Sequence, residues 1–97
     1  MGEADLGVLL ARCGLGDRAA FRSLYAEASP KLFGVALRIL GNRGDAEDAV
    51  QEAFVKIWRG AGRFDAARGS AVGWLVSIAR NQAIDSLRAR KPPARDI

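Results

Sequence analysis

Between Asp17 and Leu40 the residues Phe21, Leu24, Tyr25, Ala28, Leu32, Ala36 and Ile39 recur every three or four positions. That period closes one face of an α-helix and conflicts with the two-residue alternation of a half-buried strand. Such a helix is held mainly by burying its apolar face against partners, so the chain must supply further helices. It does. Leu6, Leu9, Leu10 and Cys13 mark a first helix, about Glu3 to Cys13, that stops at "GLGD". Ala46, Ala49, Val50, Ala53, Phe54, Ile57 and Trp58 mark a third, after the turn "LGNRG". Leu75, Ile78, Ala79, Ala83 and Leu87 mark a fourth, from about Ser70 to Arg90. Strand formers are sparse while Ala, Leu, Arg and Glu abound, which favours helix throughout. The expected fold is therefore all-α, a compact bundle of about four helices with a loop before the last one. Ninety-seven residues suffice for a single modest core. Residues 1–91 are expected to form that domain, and 92–97, opening with Pro92 and Pro93, a linker or frayed terminus.

Local signals refine the boundaries. Asp17 is the expected N-cap of the second helix; Pro30 removes a backbone donor and so kinks or splits it, and a long, bent helix is the expectation. Asp45 is expected to cap and open the third helix, with further acidic residues at the positive end of its dipole. Trp74 is expected to anchor the core at the start of the fourth helix rather than to serve as a stacking platform.

Several classes of function fall away. The chain has no histidine, which removes the commonest general base and metal ligand. A lone cysteine excludes the usual zinc constellations, and its spacing with Leu6, Leu9 and Leu10 suits a buried core thiol. No catalytic residue, metal or cofactor is expected. An unpaired cysteine fits a reducing cytoplasm, and no apolar run approaches the roughly 20 residues that span a bilayer. Cytoplasmic residence without membrane insertion is the expectation.

The net charge of +4 is unevenly placed. Residues 1–65 hold nine basic and nine acidic side chains, whereas 66–97 hold six basic and two acidic ones. A polyanion-binding end, for nucleic acid or a membrane surface, accounts for that asymmetry, as does a solvated basic tail. The fourth helix carries Ser77, Asn81, Asp85 and Arg88 as one polar stripe, with Asp85 placed to pair along the helix with Arg88. Arg88, Arg90 and Lys91 form a run suited to phosphates. Before it lies "GAGRFDAARGS", in which Phe64, Asp65, Arg68, Gly69 and Ser70 suit single-stranded nucleic acid: backbone approaches closely at glycine, and arginine meets phosphate. Asn81 offers both donor and acceptor to a base edge. The third helix has a different outer face. Asp48, Gln51, Glu52 and Val55 lie three and four apart there, an acidic patch around one exposed valine that suits docking of a basic partner.

Taken together, "DAEDAVQEAFVKIWRG" and "RFDAARGSAVGWLVSIARNQAIDSLRARK" resemble region 2 of the sigma-70 promoter-recognition factors, of the extracytoplasmic-function (ECF) group. The segment "DRAAFRSLYAEASPKLFGVALRIL" is similar to that family's long second helix, so the likeness covers residues 5–91. It implies a transcription initiation domain that docks on core RNA polymerase and recognises and helps melt the promoter −10 element. By this resemblance Asp48, Gln51, Glu52 and Val55 would meet the coiled coil of the β′ clamp. Phe64, Asp65, Arg68, Gly69 and Ser70 would capture a flipped-out base of the non-template strand, with Asn81 helping to line its pocket. Arg80, Arg88, Arg90 and Lys91 would approach the DNA backbone. An anti-sigma factor is a further implied partner. The family's second domain, reading the −35 element, follows a linker that would begin at 92–97. The loop "DAARGSA" departs from other members, so the promoter sequence is not legible. Apart from the resemblance, two other readings fit the same residues: a helical adaptor using only the acidic face, and a helix-turn-helix regulator of duplex DNA.

Overall fold

The computed structural model describes residues 2–90, which form four α-helices and one 3-10 turn. These are α1 (Glu3–Gly14), α2 (Arg18–Leu40), α3 (Arg43–Gly60), the 3-10 turn (Ala61–Arg63) and α4 (Ala71–Arg90). Helices α2, α3 and α4 pack mutually, and α1 lies across α2 and the turn. The all-α bundle with a loop before its last helix is as expected.

Each helix contributes a large, fully buried side chain: Leu10 from α1, Leu24 and Leu32 from α2, Ile57 from α3 and Leu75 from α4. Between them run alanines, among them Ala36, Ala46, Ala53, Ala71 and Ala83, all without solvent exposure. Small residues at these seams let the helix axes approach closely. Truncating a buried leucine such as Leu24 to alanine in a packing of this kind typically costs about 2–5 kcal/mol. Cys13 is buried in the same core, where desolvation, with a lesser push from Asp17, raises its thiol pKa above the ordinary value.

The caps explain where the helices start. Asp17 Oδ1 accepts the Ala20 amide at 3.0 Å, as expected of an N-cap. Asp17 Oδ2 accepts from Arg12 Nε at 2.9 Å, which pins the α1–α2 turn. The Ala20 amide first, then Arg12, holds the Asp17 carboxyl below its usual pKa of 3.8. Helix α2 ends on Gly41, whose φ of 79° is the left-handed conformation that glycine adopts without a Cβ penalty.

The long second helix is as expected: Pro30 does not split α2, which continues as one 23-residue helix. The proline sits on an exposed position, while Leu24, Ala28, Leu32 and Ala36 bury the opposite face on both sides of it. That continuous burial outweighs an interior proline's cost of about 3 kcal/mol. One boundary expectation is corrected: Asp45 does not open α3. The helix begins at Arg43, capped by Asn42, whose Oδ1 accepts the Asp45 amide at 2.8 Å. Asparagine is as good an N-cap as aspartate, and Asn42 comes first in the chain. Asp45 instead accepts from Asn42 Nδ2 at 2.8 Å, within the first turn.

The start of α4 is held from far away in sequence. Glu3 Oε1 accepts the Val72 amide at 3.0 Å, and Glu3 Oε2 accepts the Ala71 amide. Ser70 Oγ accepts the Gly73 amide at 2.9 Å. Its far end is also tied down: Arg90 Nη2 donates to the Leu40 carbonyl at 2.7 Å and Nη1 pairs with Asp45. At the other end of the bundle Gly14 meets the 3-10 turn so closely that a Cβ there would lie 2.9 Å from Gly62 Cα. Lys91 and the stretch 92–97 lie outside the described residues.

Candidate functional site

Two surfaces stand on opposite chemistry. The first is built by the loop 64–70 and the start of α4. Phe64, Asp65, Arg68, Gly69 and Ser70 line one open cavity of about 410 Å³, together with Arg63, Gly73, Trp74 and Ser77. Its apolar wall is an aromatic pair, Phe64 and Trp74, with ring centroids 5.6 Å apart and planes inclined at 58°. Both rings are half-buried, pack against the core and line the cavity. Trp74 is thus both anchor and lining, where the sequence suggested only an anchor.

The loop has its own shape-giving bonds. Asp65 Oδ1 accepts the Ala67 amide and the Asp65 carbonyl accepts the Arg68 amide, both at 2.9 Å. This is an Asx-type turn, in which the aspartate organises backbone. A Cβ at Gly73 would come within 2.9 Å of Ser70 Oγ, so a larger residue there would push that hydroxyl aside. Arg63 and Arg68 flank the cavity, exposed and, among the described residues, without an ion pair.

Further along α4, Ser77, Asn81, Asp85 and Arg88 are all exposed, confirming one polar stripe. Asn81 does not line the cavity, which closes at Ser77, one helical turn or roughly 6 Å earlier. Asp85 pairs with Lys56 on α3 at 3.8 Å rather than with Arg88. Close packing of α3 and α4 brings that lysine within reach, and Arg88 is left exposed, as is Arg80. Arg90 is turned inward to Asp45 and Leu40, so its guanidinium is occupied within the domain. The Asn42 hydrogen bond, then Arg90, lowers the Asp45 pKa below 3.8.

The second surface is the outer face of α3. Asp48, Gln51, Glu52 and Val55 are all exposed, and Val55 retains 42% of its accessible area. Beside them runs a shallow apolar groove of about 400 Å³, where Phe21, Tyr25, Phe54 and Trp58 meet Gln51, Val55 and Arg59. Tyr25 packs on Phe54 at 4.6 Å and Phe21 on Trp58 at 5.1 Å. Tyr25, read from its spacing as a core residue, is 42% exposed on this rim.

Arg63, Gly73, Trp74 and Ser77 were not singled out for the cavity by their sequence. Ser77 and Trp74 had a usable signal, since they precede Asn81 by four and seven positions on one helical face. Glu3 had none, because its contacts are 68 and 69 residues distant.

Residues 24–92 match the Sigma-70 region 2 family. The chain is 36% identical over 89 residues to the ECF RNA polymerase sigma factor SigK of Mycobacterium tuberculosis, covering 92% of this chain and 48% of that protein. It is 34% identical to the Mycobacterium ulcerans SigK over 87 residues, 90% of this chain and 46% of that one. The chain therefore spans about half the length of the curated relatives it matches. Among solved structures, an engineered region 2 of sigmaE in complex with GTAAAA superposes with a TM-score of 0.79 and 37% identity, covering 93% of this chain and 94% of that one. Rhodobacter sphaeroides SigE in complex with the anti-sigma ChrR gives 0.80 and 31%, covering 99% and 59%. A four-helix bundle, an acidic helix face and an aromatic-walled loop cavity thus coincide with these matches, and the chain belongs to the sigma-70 region 2 family, in its ECF group.

Proposed function

We propose that this chain is the part of a transcription initiation factor that docks on core RNA polymerase and captures an unpaired base of the promoter −10 element. Asp48, Gln51, Glu52 and Val55 take the β′ clamp coiled coil, charge steering the encounter and Val55 supplying a desolvated contact. Phe64, Asp65, Arg68, Gly69 and Ser70 receive the base from the non-template strand. Asn81 reads beyond the cavity mouth, and Arg80 and Arg88 meet phosphates, with Lys91 continuing that run. Arg90 is withdrawn from the DNA-contacting set because it clamps α4 to the rest of the bundle. An anti-sigma factor is a further partner on this reading, as one is for the Rhodobacter sphaeroides relative. Residence is cytoplasmic on this reading. Among the described residues no helix is long and apolar enough to cross a membrane.

The mechanism is binding without chemistry. Unstacking a base costs a few kcal/mol, and stacking on an aromatic wall returns about 1–3 kcal/mol. Hydrogen bonds from the loop and phosphate contacts offset the remainder, so the open state is favoured only where the base fits.

The observation that carries the proposal is the cavity walled by Phe64 and Trp74, in a chain whose structural counterpart was solved with a six-nucleotide strand. Fluorescence anisotropy with GTAAAA and single-base variants, with and without core polymerase, tests it. Selective, salt-sensitive binding is expected, with a log–log slope of about −3 if Arg63, Arg68, Arg80 and Arg88 all meet phosphate. Strong binding of duplex by the isolated chain would overturn it in favour of a helix-turn-helix regulator. Absence of strand binding in both states would favour an adaptor.

A further inference from the structure

The loop cavity is backed by a helix from the opposite end of the chain. Phe64, Gly69 and Ser70 line the open cavity on one side and, on the other, a groove bordered by Glu3, Ala4 and Gly7 of α1. The loop is thus a wall between two hollows, and its bonds explain how it is held. Its internal hydrogen bonds join Phe64 to Ala61, and Asp65 to Ala67 and Arg68. Its exit follows the start of α4.

The first amides of a helix have no intrahelical acceptor and need one from elsewhere. Here Ser70 serves Gly73, and Glu3 serves both Ala71 and Val72. A carboxylate at that point is also favoured by the positive end of the helix. We infer that Glu3 is a positioning residue for base recognition: by bridging the start of α1 to the start of α4, it fixes where Ser70 and Gly73 stand and so sets the shape of the cavity. This rests on the base-capture reading above and adds to it a residue that touches no nucleotide.

The test compares the chain with Glu3→Ala and Glu3→Gln variants in three measurements. Hydrogen exchange of the Ala71 and Val72 amides reports the cap. Affinity for core polymerase reports the remote face, and the ratio of affinities for GTAAAA and its single-base variants reports the cavity. Loss of a helix cap of this kind corresponds to about a threefold to thirtyfold change in local opening. Glu3→Ala is expected to speed exchange of the two amides by that factor and to reduce base discrimination about threefold to tenfold, with polymerase affinity within about twofold. Glu3→Gln keeps one amide oxygen as acceptor, and intermediate values are expected for it. Unchanged exchange in Glu3→Ala would remove the cap, and faster exchange with unchanged discrimination would make it purely structural; either result overturns the inference. If the parent chain itself fails to discriminate between strands, the base-capture reading falls and the inference falls with it, an outcome recognisable because all three proteins then show no strand preference, whatever their exchange rates.

Discussion

The outer face of α3 and the loop–α4 cavity sit on one core and differ in almost every physical respect. The α3 face is a continuous stretch of helix, convex and acidic, and it is positioned by the burial of Ala46, Ala49, Val50, Ala53, Phe54 and Ile57 behind it. The cavity is concave and flanked by arginines. It is assembled from a turn, an irregular loop and the first two turns of a helix, with α1 behind it. The first surface needs only that α3 remain helical. The second depends on hydrogen bonds between distant segments, of which the Glu3 bridge to α4 has the longest reach. On the proposed reading, docking lies on a helix face held by the core behind it, and base capture on a surface held by bonds between distant segments.

The largest expected effect comes from reversing charge on the α3 face. Glu52→Lys places a cation against a basic partner, and loss of such a contact costs about 2–5 kcal/mol, hence at least thirtyfold in polymerase affinity. Circular dichroism and Tm are expected to stay unchanged, since Glu52 is exposed and buries nothing. Retained co-purification with core polymerase would sever the acidic face from docking.

A smaller effect separates two neighbouring arginines that look equivalent in the sequence. Arg88→Ala is expected to lower the salt slope of strand binding by about 0.7 with no change in Tm. Arg90→Ala is expected to do the reverse, lowering Tm by a few degrees as α4 loses its ties to Leu40 and Asp45, and leaving the salt slope as it was. Salt titrations and thermal melts of the two variants distinguish these outcomes. Equal salt slopes lost in both would return Arg90 to the DNA surface.

These arginines also show what was legible in the sequence and what was not. Helical period placed Asp48, Gln51, Glu52 and Val55 on an exposed face and Leu75, Ala79 and Ala83 in the core, because both follow from position on one cylinder. It could not tell Arg88 from Arg90, whose difference lies in which carboxylate and carbonyl another helix brings near. The same limit misdirected the expected Asp85–Arg88 pair, since Lys56 reaches Asp85 across the α3–α4 seam. It also hid the cavity's share of α4. Phe64 and its loop neighbours were visible as a glycine-rich interruption, whereas Trp74 and Ser77 join them only once the loop folds back.

The smallest effect is on acid stability, and it belongs to the frame that both surfaces share. Asp17 and Asp45 have folded pKa values below 3.8, so the folded state binds fewer protons there than the unfolded chain. Their contribution is present above 3.8 and is lost as pH falls through the lower folded values. Tm is expected to be flat from neutral pH to about 5 and to decline below the ordinary carboxylate range, with a shallower decline in Asp17→Asn and Asp45→Asn. Thermal melts across that range check it, and an acid limb unchanged by either substitution would locate the titrating groups elsewhere.

The most direct test of two separate surfaces on one core is a crossed affinity measurement on Glu52→Lys and Asn81→Ala. Polymerase binding and the single-base preference for GTAAAA strands are measured for each, with folding verified by circular dichroism. The expected result is that Glu52→Lys loses polymerase while the free chain keeps its strand preference, and that Asn81→Ala keeps polymerase while its preference changes at one base. If both properties fall together in either folded variant, or if Asn81→Ala weakens all strands equally, the division of labour between α3 and the loop–α4 surface is contradicted.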